Sequence, residues 1–159
     1  MALSYSTGFI HKLLGGSGGG SMAGVLSQCV IDVYSGVRPD SADAPIPSGA
    51  GAPVLLGTIT NNGVAATGDP AIYGLGWGVP VNRGIDKDPS QVWQFRATIA
   101  GTASWLRLRA AIESGTGASA TAPRIDASVG TAFTDVRLSS VDVSINNIYS
   151  INQFLFLWP

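Results

Sequence analysis

The side chains that do most enzyme chemistry occur singly here: one histidine, one cysteine and one glutamate in 159 residues. His11 sits in FIHKLL, where a packed or solvated imidazole fits the apolar neighbours better than a catalytic one. Cys29 opens the apolar run CVIDVY and reads as a small buried hydrophobe. A Cys–His dyad would need these two residues to meet across a glycine-rich stretch. One His and one Cys cannot assemble a tetrahedral zinc set from the usual ligands. Serines are plentiful, but none carries the signature of a Ser–His–Asp arrangement. Glu113 is isolated and the nine Asp mostly border turns, so no carboxylate pair for acid–base work can be placed. The expectation is a protein without catalytic residues, cofactor or metal.

Two further stretches imitate binding motifs. Gly74, Gly76 and Gly78 in YGLGWGV have G-x-G-x-G spacing, no helix follows, and Pro80 comes at once. A dinucleotide fingerprint needs a strand before it and a helix after it, so a β-bend that lets Trp77 pack is the better reading. Asp86 and Asp88 in GIDKDPS supply half a calcium loop without its glycine and glutamate completion. Turn formation before Pro89 accounts for them. One constellation stands out: Trp105, Arg107 and Arg109 alternate in SWLRLRA, which on a strand sets them on one face at about 7 Å intervals. Trp and Arg are enriched in binding hot spots. That face is expected either to meet a partner or to lie under other parts of the same chain.

The elements that must position these residues are short strands. Residues 91–99 alternate, with Trp93, Phe95, Ala97 and Ile99 on one face. Ala100-Gly101-Thr102-Ala103 turns the chain, and residues 104–110 return with Leu106, Leu108 and Ala110 inward. Val141, Val143 and Ile145 alternate with polar residues, and residues 148–158 form a last strand with both faces apolar. Phe154, Phe156 and Trp158 on that strand are core or interface residues. Val54 to Thr60 reads as a strand closed by the Asn-Asn-Gly turn at 61–63. Ahead of these lies an arm, residues 1–28. Ser6 can cap a short helix whose stripe is Phe9, Ile10, Leu13 and Leu14, and residues 15–21 (GGSGGGS) have the composition of a flexible linker, natural or engineered. The β-domain then spans 29–159, with a loop at 37–52 in which Pro39, Pro45 and Pro47 forbid regular pairing. Glycine and proline give both the arm and this loop little core of their own. Short alternating strands with Gly/Pro-rich turns predict a mainly β chain, an antiparallel β-sandwich of jelly-roll-like form with a short helical N-terminal arm.

Composition narrows the function classes. Charged residues make up 12% of the chain against roughly 25% in typical soluble domains, and mean hydropathy is +0.28. Such a surface has little colloidal repulsion and suits a protein covered by neighbours, its own copies included. Net charge is −1 and the seven Arg are scattered, so no row of phosphates can be neutralised and no nucleic-acid partner is expected. Apolar stretches fall far short of the roughly 20 residues that span a bilayer, and the N-terminus lacks the parts of a signal peptide. No membrane partner is expected, and a lone Cys fits a reducing compartment.

The stretch VIDVYSGVRPDSAD (30–43), followed by LLGTIT (55–60), resembles a group of small tailed-bacteriophage virion proteins. The likeness continues through WQF (93–95), GTASWLRL (101–108) and PRIDASVG (123–130), and STGFIHKLL is similar to the short N-terminal helix of that group. GGSGGGS and APIPSGAGAP depart from the pattern. The resemblance implies a non-enzymatic virion protein that decorates or cements the major capsid lattice, with the major capsid protein and copies of itself as partners. Interface residues would then come from Phe9, Ile10, Leu13, Leu14, Trp105, Arg107, Arg109, Phe154, Phe156 and Trp158. A tail, neck or baseplate component is the alternative within the same class. A carbohydrate-binding module using Trp105 or Trp77 as stacking platforms is the alternative outside it.

Overall fold

A computed structural model describes residues 3–132, 134–138 and 140–157. Strand accounts for 34% of the chain and helix for 10%, so the protein is mainly β. The N-terminal part runs β1 (Ser4–Tyr5), α1 (Thr7–Leu13), α2 (Met22–Val25), β2 (Cys29–Ser35), β3 (Val54–Asn61) and α3 (Pro70–Tyr73). The middle holds β4 (Gly84–Asp86), β5 (Trp93–Arg96), β6 (Gly101–Thr102), β7 (Trp105–Ala110) and β8 (Arg124–Gly130). The chain continues through β9 (Val136–Arg137), β10 (Asp142–Val143), β11 (Ile148–Ile151) and β12 (Leu155–Leu157). Seven strands form one antiparallel sheet in the order β1-β8-β7-β2-β3-β5-β11, and β9 joins β8 in parallel. Two small ribbons, β6 with β10 and β4 with β12, pair apart from this sheet.

β2 is the middle of this sheet for a sequence reason. Its β-branched run alternates Cys29, Ile31 and Val33 into the apolar core with Val30, Asp32 and Tyr34 on the reverse face, and both faces are buried. The core gathers Leu106 and Leu108 of β7, Ile125 and Ala127 of β8, Leu56 and Ile59 of β3, and Trp93 and Phe95 of β5. Burying a side chain of this size contributes about 1.5–3 kcal/mol. Phe9 of α1 joins the same core. Ser6 caps that helix by accepting from the Phe9 N–H at 3.1 Å.

Three strand expectations are corrected. β7 does not return against β5: it pairs with β2 on one side and β8 on the other, while Gly101 and Thr102 peel off to meet β10. The turn residues at 100–103 connect two distant parts of the sheet, and Ile99 lies exposed beyond the end of β5. The last strand is also not continuous. It breaks between Ile151 and Leu155, so that β11 closes the sheet edge on β5 and β12 crosses to β4. The break turns Phe154 and Phe156 into the core, beside Trp77 and Trp93. Trp158 lies outside the described residues.

Candidate functional site

The reverse face of β2, β7 and β8 carries Trp105, Arg107 and Arg109, and it is not open. Trp105 is 1% exposed and Arg107 0%, and Arg109 is largely enclosed. Of the two positions expected for this face, it takes the one under other parts of the same chain, so Trp105 and Arg107 are corrected as interface candidates. Segments 37–47 and 111–123 lie over the arginines. The cause is a set of carboxylates in register. Arg107 stands directly between Asp32 on β2 and Asp126 on β8. Its guanidinium grips Asp126 through two bonds of 2.7 Å, from Nε and Nη2. Arg109 reaches diagonally to Asp32, with Nε at 2.6 Å from Oδ2, while Asp32 Oδ1 accepts from the Thr58 hydroxyl at 2.7 Å. Arg124 of β8 forks onto Glu113, so the glutamate that reads as isolated in sequence is paired in space.

Each fork keeps donors for the roof. Arg107 Nη1 donates to Gly115 O at 2.7 Å, and Arg124 Nη1 donates to Gly117 O at 2.7 Å. Arg109 Nη1 donates to Glu113 O. The two covering segments also bond to each other, through Ile46 N to Thr116 O at 2.8 Å and Ser119 N to Asp43 O at 2.9 Å. Arg fits this task because its planar fork satisfies a carboxylate and a carbonyl at once. The arrangement pins irregular backbone over the sheet and pairs Asp32, Asp126 and Glu113 each with an arginine. Breaking one member would strand a buried charge at about 3–5 kcal/mol.

Around this layer the ring of Trp105 stacks on Tyr34 at 4.4 Å, and the Arg107 guanidinium lies 5.8 Å above the indole. Burial, reinforced by the nearby Asp32 carboxylate, pushes the Tyr34 phenol up to about 12. Burial likewise pushes the Cys29 thiol up to about 12, so the thiolate is suppressed. Asp88 is held below the usual carboxylate range by the hydroxyl and N–H of Ser90, which makes it a turn-former. Gly74 is bent close against Gln28, and Trp77 in that bend donates Nε1–H to Leu26 O at 2.9 Å. Trp77 is half-buried among aromatic rings, and Trp105 is sealed, so neither offers a flat platform for a sugar. His11 is exposed on α1. Among the described residues no three His, Cys, Asp or Glu are grouped to hold a metal ion, and no helix is long and apolar enough to cross a membrane.

A cavity of about 640 Å³ lies on the core side of the same strands, between Leu106 and Leu108 of β7 and the chain at 150–156. Its floor is apolar, and Ser150, Asn152 and Gln153 stand among its lining residues. The Asp135 carboxylate at its edge is engaged by the Ser128 N–H and hydroxyl at 2.8 and 2.6 Å.

The ten interface candidates thus divide, with Trp158 outside the described residues. Phe9, Trp105, Arg107, Phe154 and Phe156 are internal, and Arg109 is bound to Asp32. Leu13 is partly covered and lines a groove with Met22, Ala23, Ile85 and Phe156. Ile10 and Leu14 are exposed, with 79% of Leu14 open to solvent. Sequence reasoning missed Asp32, Asp126, Glu113 and Arg124. The available signal was a single Asp inside each of two apolar β runs, VIDV and RIDA. Compared with known protein families, with curated proteins and with solved structures, the chain finds no match.

Proposed function

We propose that this chain is a non-enzymatic structural protein of a tailed-phage virion that binds the major capsid lattice as a decoration or cement subunit. The observation that carries the reading is how the surface is divided. Three of the nine basic residues and three of the ten acidic ones are consumed inside, in the Arg107–Asp126, Arg109–Asp32 and Arg124–Glu113 pairs. A chain already poor in charge therefore spends a third of it under a roof, and aliphatic side chains stand outside. Leu14, Val37, Val79 and Ile112 are each more than three-quarters exposed. Covered by a neighbouring subunit, such side chains would add buried apolar area to the contact. A standard interface buries about 1,600 Å² in total, and repetition over a lattice multiplies a modest contact. The phage assignment itself rests on the resemblance read from the sequence at residues 30–43, 55–60, 93–95, 101–108 and 123–130 and in STGFIHKLL.

The sheet also fits the jelly-roll-like β-sandwich proposed for such subunits. Leu106 of β7 and Ile151 of β11, four strands apart in the sheet order, line one cavity, which supports two layers facing each other. The test is binding to particles stripped of this chain, comparing the parent with Ile112→Asp and Val37→Asp. Both variants are expected to melt like the parent, and at least one to bind at least tenfold more weakly. Unchanged binding by both would remove the roof from the interface.

A further inference from the structure

We propose that residues 3–14 form an exchangeable clip, able to leave their own body and occupy the same seat on a second copy of this chain. The seat is specific. β1 adds to the edge of β8, with Ser4 opposite Asp126 and Tyr5 opposite Ile125. The Ser6 hydroxyl accepts from Arg124 N and donates to Ala122 O, each at 2.8 Å, and Ser6 N donates to Arg124 O at 3.0 Å. Thr7 donates through N and Oγ1 to the Asp43 carboxylate at 2.9 and 2.6 Å. Ala42 N donates to Ser4 Oγ at 3.1 Å. Phe9 is fully buried, and a Cβ at Gly8 would come within 2.3 Å of the Thr121 carbonyl.

Every one of these partners lies far along the chain, between 36 and 118 residues away for the side-chain hydrogen bonds. The seat therefore selects the arm by its chemistry and is indifferent to which copy supplies it. What ties arm to body is GGSGGGS, residues 15–21, with Gly15 at φ +89° and Gly18 at φ +70°. Its hydrogen bonds are local, Gly19 N to Gly16 O at 2.7 Å and Gly20 N to Lys12 O at 3.3 Å. Opening loses these bonds and lengthens the seven residues to about 25 Å. Exchange makes no interface that the closed form lacks, so the two forms differ in hinge conformation and in the entropy of association. The partner is a second copy because the seat is matched to residues 3–14, which every copy carries. The inference needs no capsid and stands apart from the virion reading.

The test uses the full chain carrying Thr7→Cys and Asp43→Cys, which face each other across the seat. It is refolded at rising concentration, oxidised and run without reductant. A companion chain lacks residues 16–20 and keeps native Thr7 and Asp43. The expected result is covalent dimers or larger rings whose share rises with refolding concentration, and a companion chain that sediments as a folded oligomer. Covalent monomer at every concentration overturns the proposal, as does an oligomer in which the cross-link stays within one chain. A companion chain that is a folded monomer overturns it independently, even where the cysteine pair impairs folding.

Discussion

Trp105 separates two accounts of the Trp–Arg face, because an interface anchor and a core residue fail differently when truncated. With 1% of its surface exposed and its ring on Tyr34, Trp105→Ala is expected to cost about 3–5 kcal/mol of folding stability by chemical denaturation. A parent-like melt would return the residue to the interface. The ion pairs obey a different rule. Asp126→Asn leaves the Arg107 charge buried, and a loss of about 3–5 kcal/mol is expected, whereas Arg107→Met with Asp126→Leu should recover much of it because no charge is stranded. Equal losses in both variants would show that packing and not charge sets the cost. The suppressed ionisation of Cys29 and Tyr34 adds a pH dependence of known sign. Their ordinary values are 9.0 and 10.0, and both rise to about 12 when folded. The folded state then holds more protons than the unfolded one, so stability is full below pH 9 and falls as pH rises towards 12. Denaturation midpoints across that range check it, and Cys29 should resist alkylation at pH 8 until the chain unfolds.

At the scale of elements, the central object is a sheet whose reverse face is roofed by loops pinned through arginine forks. Glu113→Gln weakens the fork on Arg124 and should raise amide exchange across residues 111–117 while β7 and β8 stay protected. Uniform protection would show that the Arg107 and Arg109 contacts suffice alone. Sequence alone makes part of β2 and β7 legible. Their alternation, and hence their place in an antiparallel sheet, follows from side-chain type alone, as does the inward set Leu106 and Leu108. Which strand neighbours which does not follow, because Asp32, Arg107 and Asp126 come together only through register between segments far apart in sequence. Sequence leaves the Trp105 face open between a partner and a cover from the same chain, because a strand has two faces and only one can be seen to meet the core. The roof that makes both faces internal is built from proline- and glycine-rich segments with no periodicity to read. The same limit hid the break at Asn152 and Gln153, since a strand apolar on both faces and a chain crossing between two pairings look alike in sequence.

For the whole molecule, three ion pairs hold loops down over the sheet, while some aliphatic side chains, Leu14 and Ile112 among them, stand exposed. A free subunit with that surface is expected to self-associate at high concentration, and Leu14→Asp should reduce this in sedimentation experiments without altering the melt. Persistence of the parent's association would place the contact elsewhere. On the proposed reading this chain is a structural part of a virion and covers its capsid. Quantitative mass spectrometry of purified virions, comparing this chain with the major capsid protein, addresses it most directly. Copies in proportion to the capsid protein are the predicted result. A handful of copies would move the chain to the neck, tail or baseplate, and its absence from the purified particle would contradict the account.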